Sequence, residues 1–267
     1  MGPLGGKRAL VCGGTQGIGK ACAFELARLG AQVTLLARNE EALRRVRDEL
    51  AAAGTGAGGG ASRHDHLRAD FGEPESVRAI VARHVETTGP LEILLNNTGG
   101  PPGGPIVEAS PDAFLSAFSA HLICNQILAQ TLIPGMKRAG YGRIINIIST
   151  SVRHPIQGLG VSNTVRGAVA SWAKTLANEV APFGITVNNV LPGATATGRL
   201  RSLIQAKARA AGIGEDEVER QMKADIPMGR FAGPGEIAAA AGFLATPAAG
   251  YITGVSLPVD GGRIACL

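Results

Sequence analysis

Glycines are concentrated in a short segment that follows a run of apolar residues near the amino terminus. Gly13, Gly17 and Gly19 have the spacing G-x-x-x-G-x-G. The apolar run Ala9–Cys12 precedes them, and a helical pattern begins near Ile18. Glycines let a backbone approach a pyrophosphate closely, and the first N–H groups of a helix are unpaired donors. This order of elements predicts a phosphate-binding turn, although glycines also serve ordinary turns.

The second apolar run is followed by a basic residue rather than an acidic one. Ala37 closes the run and Arg38 follows it. An acid at this point accepts hydrogen bonds from the ribose 2′-hydroxyl of NAD, whereas a guanidinium can bind a 2′-phosphate through two parallel hydrogen bonds. Arg38 therefore favours NADP(H) over NAD(H). The alternative is that Arg38 is only the first member of an exposed basic helix face.

Strand and helix signals alternate along all 267 residues. The apolar runs are Ala9–Cys12, Val33–Ala37, Leu91–Leu95, Ile144–Ile148, Thr186–Leu191 and Val255–Val259, with a weaker one at Arg63–Arg68. The helical patterns are Ile18–Leu29, Glu40–Ala53, Pro74–Thr88, Pro111–Arg138, Asn163–Ala181 and Pro234–Leu244. Near-continuous apolar runs indicate strands buried on both faces. We expect one α/β domain over residues 1–267, a Rossmann-type doubly wound parallel sheet of about seven strands with helices on both faces.

One long segment, Gly193–Pro227, interrupts this alternation beside the expected ligand crevice. It contains Thr195, Thr197 and Arg199 and a polar helical pattern from Arg201 to Lys223. Long inserts next to a ligand crevice commonly act as lids. We predict a substrate lid at about 193–227; the alternative is a surface excursion without a role.

Composition narrows the possible partners. The net charge is +5, and no long basic run with interleaved aromatic residues is present, so we expect no nucleic-acid partner. No apolar run reaches transmembrane length and no signal sequence precedes Lys7, so we expect a cytoplasmic protein with reduced thiols and no membrane partner. Gly54–Ala61, nearly all glycine and alanine, is predicted to be a flexible surface loop.

Five short motifs along the chain have the order and spacing of a known family. They are Gly13-Gly14-Thr15-Gln16-Gly17-Ile18-Gly19, Asn96-Asn97-Thr98-Gly99, Gly142-Arg143-Ile144-Ile145-Asn146, Pro192-Gly193 and Asp260-Gly261-Gly262. From about Lys7 to Gly262 the sequence resembles the short-chain dehydrogenase/reductase family, and within it the β-ketoacyl-carrier-protein reductase branch.

The resemblance implies a set of residues that contact the cofactor. Asp70 would lie near the adenine. Asn96 would lie on the ribose side, and the alternative is that Asn96 and Asn97 have a structural role and bond the backbone across the sheet. The full implied set comprises the glycine-rich turn, the ribose side and the nicotinamide and diphosphate side: Gly13, Thr15, Gln16, Gly17, Ile18, Gly19, Arg38, Asp70, Asn96, Thr98, Gly99, Arg166, Pro192, Gly193, Thr195 and Thr197.

The same resemblance implies four catalytic positions, and this chain departs from the family at three of them. The family uses a serine on the carbonyl oxygen, a tyrosine as proton donor, a lysine that lowers the tyrosine pKa and an asparagine on a proton path. Ser149 matches the serine. Ser162 stands at the tyrosine position and Arg166 at the lysine position, while His121 stands at the asparagine position.

The substituted residues can replace the family's chemistry only in part. Arg166 can hold the ribose hydroxyls, one helical turn from Ser162. An aliphatic hydroxyl is a poor acid, so Ser162 is better interpreted as the N-cap of the helix Asn163–Ala181 than as the proton donor. Imidazole titrates near about pH 6.5, which makes His121 and His154 the candidate acids, with ordinary structural roles as the alternative.

The remaining histidines carry no predicted chemistry. His64, His66 and His84 are expected on a loop or a surface helix, without the spacing of a metal site, so no metal is expected.

Two functions follow from these residues. The first is an NADP(H)-dependent oxidoreductase that reduces a carbonyl, either 3-oxoacyl-like or another ketone, with an atypical proton donor. The substrate would be a small molecule or carried on an acyl carrier. The alternative is a catalytically impaired dinucleotide-binding scaffold or redox sensor. The resemblance also implies a homotetramer, with Pro111–Arg138 and Asn163–Ala181 at one interface and the C-terminal strand near another.

Overall fold

The sheet consists of parallel strands in the order β3-β2-β1-β4-β5-β6-β7. The structure is a computed structural model, which describes residues 2–53 and 64–266. The strands are β1 Arg8–Cys12, β2 Gln32–Ala37, β3 Asp65–Arg68, β4 Ile93–Asn96, β5 Gly142–Ile147, β6 Ile185–Pro192 and β7 Ser256–Val259. The order reverses between β1 and β4, where doubly wound sheets open a ligand crevice. The predicted fold class is confirmed. The predicted loop Gly54–Ala61 lies outside the described residues.

Helices cover both faces of the sheet because successive strand side chains point to opposite sides. Ala9 and Val11 of β1 pack in one core cluster with the helices α1, α2 and α9, and Leu10 and Cys12 pack in the other with α3, α5 and α6. The helices are α1 Gly17–Arg28, α2 Glu40–Ala52, α3 Pro74–Thr88, α4 Pro111–Phe118, α5 Cys124–Ala139, α6 Gly160–Val180, α7 Gly198–Ala211, α8 Glu215–Ala224 and α9 Pro234–Ala245.

The predicted long helix Pro111–Arg138 is divided rather than continuous. Residues Ser119–Ile123 form one wide π-type turn between α4 and α5, and His121 lies in that turn. Such turns interrupt the regular hydrogen-bond ladder and often occur at functional sites.

The helix α6 begins three residues before the predicted Asn163, which makes the N-cap interpretation of Ser162 wrong. Its N-cap is Leu159, so Ser162 lies inside the first turn. The cause is local packing. A Cβ on Gly160 would lie 2.5 Å from Ile106 Cβ, so only glycine lets the chain start its helix against this neighbour. Asn163 meanwhile donates from its side chain to the Ile156 carbonyl at 2.9 Å.

The segment 193–227 contains two helices rather than the single predicted helical stretch. Gly212, with φ of +67°, ends α7, and α8 follows after Gly214. The two helices share a small apolar cluster of their own, built around Leu200, Ile204 and Val218. The segment is therefore a helical hairpin with an internal core, which is how a rigid lid would be built.

Two histidines predicted on a loop or surface helix are buried, which corrects that expectation. His84 lies on the inner face of α3, the same face as the buried Val77 and Val81. Its Nε2 is 3.3 Å from Thr34 Oγ1. His64 Nδ1 accepts a hydrogen bond from the Val33 N–H at 3.1 Å. Burial lowers the pKa of both imidazoles. The spacing of His84 from two core valines could have shown its burial from sequence.

Candidate active site

The glycine-rich turn after β1 is shaped by close backbone contacts. Gly13 and Gly17 have φ of +60° and +53°, in the region that favours glycine. A Cβ on Gly13 would lie 2.5 Å from the Asn97 carbonyl oxygen, and a Cβ on Gly19 would lie 2.2 Å from the Gly13 carbonyl oxygen. The N-cap of α1, Gln16, makes no capping hydrogen bond through its side chain. The first N–H groups of α1 thus remain available for an anion, with Thr15 and Ile18 flanking them.

Arg38 and Asp70 lie together at the carboxyl ends of β2 and β3. Arg38 Nη1 is 3.8 Å from Asp70 Oδ2, and the Arg38 side chain is 75% exposed. By contrast, Arg44 within α2 pairs with Glu40 at 2.9 Å. Arg38 precedes the N-cap of that helix, Asn39, and points toward Asp70 rather than along the helix face. This placement favours the ligand-binding interpretation of Arg38 over the basic helix face.

Three asparagines form a buried ladder across the centre of the sheet. Asn96 donates to Asn146 at 2.8 Å, and Asn146 donates to Asn189 at 2.9 Å. Asn97 donates weakly to the carbonyls of Cys12 and Gly13, each at 3.4 Å. The side chains of Asn96 and Asn97 therefore hold the strand ends and the glycine turn in place, as the structural alternative predicts.

His121 lies next to Thr98 and Gly99, at the carboxyl end of β4. Its Nδ1 hydrogen bonds with the Thr98 hydroxyl, and the imidazole also bonds the Gly99 backbone. Only 3% of His121 is exposed. Burial, and then the charge of Arg166, lowers the His121 pKa to about 3, with the Gly99 bond acting in the opposite direction. His121 is therefore a neutral imidazole at physiological pH.

Ser149 and Arg166 are both placed at the carboxyl end of β5. Ser149 Oγ accepts a hydrogen bond from the Ser151 N–H at 3.1 Å, which leaves its own O–H free to donate. Arg166 Nη1 donates to the Ile147 carbonyl at 3.2 Å. Ser162 is half-buried one turn earlier on α6, whereas His154 is exposed. The structure thus brings Thr98, His121 and Arg166 into one cluster, and His154 stays on the surface.

The start of α7 closes the other side of the crevice. A Cβ on Gly17 would lie 3.3 Å from Thr197 Cγ2, so the glycine turn and the lid segment meet there. Thr197 Oγ1 caps α7 by accepting from the Leu200 N–H, and Thr195 Oγ1 donates to the Gly193 carbonyl at 3.0 Å. Pro192, at the end of β6, precedes this loop. The contacts of these residues with a cofactor stay a prediction.

One residue of the site was missed as a ligand-binding candidate. Arg199, two residues after Thr197, donates from Nη2 to the Pro101 carbonyl at 2.7 Å. Its Nη2 and that of Arg166 are the two nearest atoms to a Cβ built on Gly100, at 3.7 Å and 4.0 Å. From the sequence only its position in the lid segment was known, because the approach of the two arginines depends on how the start of α7 packs on the segment after β4.

Two further findings concern metal binding and membrane-spanning helices. Within residues 2–53 and 64–266, no three His, Cys, Asp or Glu side chains are arranged to hold a metal ion. In the same part of the chain, no helix has both the length and the apolar character needed to cross a membrane.

Comparison with known proteins gives consistent matches over the full length. Residues 13–263 match the family model described as Enoyl-(Acyl carrier protein) reductase. The chain is 34% identical to the 3-oxoacyl-(acyl-carrier-protein) reductase FabG of Pseudomonas aeruginosa, covering 97% of this chain and 98% of that protein. YwfH, an NADPH dependent reductase involved in bacilysin biosynthesis, has a similar structure with a TM-score of 0.91 and 27% identity, covering 98% and 99% of the two chains. L-sorbose reductase from Gluconobacter frateurii, complexed with NADPH and L-sorbose, has a TM-score of 0.90 and 29% identity, covering 98% of each chain.

Proposed function

Because the chain belongs to the short-chain dehydrogenase/reductase family, we propose that it is an NADP(H)-dependent reductase of a ketone, with Ser149 and Arg166 at the reacting carbonyl. The observation that carries this proposal is the arrangement at the carboxyl end of β5, where the Ser149 hydroxyl proton is free and the cation Arg166 is buried. The glycine-rich turn after β1, at the same edge of the sheet, supports it because that turn can accept a dinucleotide.

The residues present fit a dinucleotide carrying a 2′-phosphate. The glycine turn excludes side chains from the pyrophosphate position, and the Arg38 guanidinium, exposed and only loosely paired with Asp70 at 3.8 Å, can bind the phosphate. Asp70 lies beside Arg38 on the adenine side, while Thr195 and Thr197 approach from the lid. Two structural neighbours support the choice, since one is described as NADPH dependent and the other was solved with NADPH.

Bound NADPH supplies the hydride, and the chain's own residues stabilise the charge that develops on the substrate oxygen. Ser149 donates its hydroxyl proton in a hydrogen bond to that oxygen. Arg166 supplies a positive charge that stays in place because the guanidinium is tied to the Ile147 carbonyl. Fixed donors of this kind commonly contribute about 3–4 kcal/mol to transition-state stabilisation. Arg166 also has donors to spare for the ribose hydroxyls.

Proton delivery in this site does not use an imidazolium or a phenol. His121 is neutral at physiological pH, because its pKa is lowered to about 3. Ser162 has only an aliphatic hydroxyl, which is a poor acid. We therefore propose that Ser149 and Arg166 hold the alkoxide until water protonates it. His121, bonded to Thr98, is a neutral hydrogen-bonding neighbour rather than the acid.

The decisive experiment measures NADPH oxidation across a panel of ketones that includes 3-oxoacyl thioesters and free small ketones. Turnover that disappears in Ser149→Ala supports the proposal. Tight NADPH binding without turnover on any ketone contradicts it and supports the second candidate, a binding scaffold or redox sensor, which the missing phenol favours. In that case the pair Ser162→Tyr and Arg166→Lys is expected to restore reduction by returning the family's proton donor and the lysine that lowers its pKa.

We also propose a homotetramer with the two interfaces that the family resemblance implies. Large apolar side chains are exposed near both. Val107 is exposed just before α4, and Leu115 is exposed within it. Tyr251 and Leu257 are exposed around the edge strand β7. Exposed apolar groups of this size commonly mark protein contacts. Light scattering of purified protein, with Tyr251→Glu as the disrupting variant, tests this assembly.

The proposed location is the cytosol. Cys12, Cys22, Cys124 and Cys266 are all free thiols, which suits a reducing compartment.

A further inference from the structure

Two arginine side chains converge on one open space at the mouth of the site. The nearest atoms to a Cβ on Gly100 are Arg199 Nη2 and Arg166 Nη2, at 3.7 Å and 4.0 Å. No atom lies within 4 Å of a Cβ on the neighbouring Gly99. Arg166 reaches this space from the buried side of α6, and Arg199 reaches it from the exposed start of α7. The space is therefore lined by two cations and is open on the lid side.

Neither cation is neutralised by the part of the chain that the structure describes. Arg166 donates one hydrogen bond, to the Ile147 carbonyl, and Arg199 donates one, to the Pro101 carbonyl. No carboxylate of the described residues pairs with either. By contrast, Arg220 on the same lid is paired with a carboxylate, that of Glu217, at 2.6 Å.

A buried cation without a partner is costly, and a like charge nearby raises the cost. Only 8% of Arg166 is exposed. Burial and then the charge of Arg199 lower the Arg166 pKa to about 10, so the guanidinium remains charged at physiological pH. An anion bound between the two arginines would relieve both the desolvation and the repulsion. The spare N–H groups of a guanidinium have the fork geometry that a carboxylate accepts.

We propose that Arg199 and Arg166 form the binding site for the carboxylate of the substrate, which makes oxo acids the preferred substrate class. The inference rests on the proposed reductase function, since Arg166 belongs both to the anion site and to the proposed carbonyl site. Arg199 makes the direct contact, and Arg166 provides the second positive charge. A carboxylate held beside Gly100 would fix the carbonyl of the same molecule near Ser149.

The cofactor pyrophosphate is the other source of an anion in this region. Arg199 is two residues from Thr197, which meets the glycine turn at Gly17. The two sources differ in their consequences. If Arg199 served the pyrophosphate, its removal would weaken NADPH binding and leave acids and esters equally bound.

The test measures binding rather than turnover, so it does not depend on catalysis. Calorimetry on protein saturated with NADP⁺ compares acetoacetate, 4-oxopentanoate and benzoylformate with their methyl esters. Hydrogen bonds to charged groups contribute about 1.5–3 kcal/mol, so at least one acid should bind about 10- to 100-fold more tightly than its ester. Arg199→Gln should erase that preference without changing NADPH affinity.

The matched control is Arg201→Gln, which removes an exposed arginine from the same helix and should keep the preference for acids. Equal binding of every acid and its ester, or binding of none of the acids, overturns the proposal. A loss of NADPH affinity in Arg199→Gln also overturns it and assigns the arginine to the pyrophosphate. If the reductase function fails, hydride transfer is missing while the acid preference remains.

Discussion

The glycine-rich turn and the first turns of α6 face the same crevice, but they follow the family pattern to very different degrees. The turn has the glycine spacing of the family, whereas α6 carries Ser162 and Arg166 where the family resemblance implies tyrosine and lysine. In the turn, a Cβ on Gly13 or Gly19 would approach backbone oxygen to 2.5 Å or less. In α6, Ser162 is half-buried.

This difference shows that the two motifs are constrained by different physics. The glycines are required by the fold itself, because the backbone of the turn, Asn97 and the start of α1 occupy the space a side chain would need. Ser162 is only half-buried, so we expect that its side chain can change without disturbing the fold. An intact glycine motif is thus consistent with a changed chemistry, and the catalytic residues must be assessed from their own contacts.

The largest expected effect comes from Gly19→Ala, which places a Cβ 2.2 Å from the Gly13 carbonyl oxygen. Because the backbone must move, we expect a loss of about 3 kcal/mol or more in the free energy of unfolding. Chemical denaturation measures it. Gly99→Ala is the matched control, because no atom lies within 4 Å of its Cβ. Equal stability of the two variants would show that the turn is not constrained by packing.

Ser149 and Ser162 give the sharpest contrast in activity. Ser149→Ala removes the donor to the carbonyl oxygen and should lower kcat by about 10²- to 10³-fold. Ser162→Ala should leave kcat within about threefold, since this hydroxyl is a poor acid. The rates are measured with saturating NADPH on the best ketone of the panel. A large loss in Ser162→Ala would identify that hydroxyl as part of the catalytic machinery.

Arg38 tests the cofactor side of the comparison. Arg38→Ala should weaken NADPH binding by about 10- to 100-fold, because charge-assisted hydrogen bonds to the 2′-phosphate are lost. NADH binding should be unchanged. Fluorescence titration of both nucleotides measures the two affinities, with Arg44→Ala as a control on the helix that follows. A parallel loss for NADH would place Arg38 outside the phosphate site.

The effect expected at His121 is a change in the pH dependence of stability. The folded-state pKa of about 3 lies below the ordinary value near 6.5. The unfolded chain therefore binds a proton first as the pH falls, and stability is lost between about pH 6.5 and 3, by at most about 1.4 kcal/mol per pH unit. Urea denaturation of His121→Asn at pH 7 and pH 5 should show a smaller loss than the wild-type protein.

The surface residue His154 supplies the control for that measurement. His154→Asn should keep the wild-type dependence on pH. An unchanged slope in His121→Asn would mean that His121 is not held neutral. A kcat of His121→Asn more than about 100-fold below wild type, with an acidic limb near pH 6–7 in the wild-type profile alone, would restore the imidazolium as the proton donor.

Much of the architecture followed from local sequence patterns. Apolar runs and glycine punctuation predicted the strands and the phosphate-binding turn, because a parallel sheet buries nearly every strand residue. Helix boundaries at the site were less accessible. The turn at Ser119–Ile123 and the early start of α6 at Gly160 depend on contacts between distant segments, such as Gly160 with Ile106. The helix propensities of the residues give no information about such contacts.

The location of Ser149 and Arg166 near the carboxyl end of β5 was predictable from their positions in the sequence, and their catalytic roles stay predictions. The ionisation of His121 was not predictable, because it depends on burial within α4–α5 and on the charge of Arg166. The pairing of Arg199 with Arg166 was equally hidden, since the two residues are brought together only by the fold of the lid onto the end of β4.

The most direct test of the account follows deuterium from C4-deuterated NADPH into the product of the best oxo substrate, measured by mass spectrometry. The account predicts a carbon-bound deuterium in the product alcohol for the wild-type protein and for Ser162→Ala, and a rate about 10²- to 10³-fold lower for Ser149→Ala. Binding of NADPH without deuterium transfer to any ketone of the panel would contradict it.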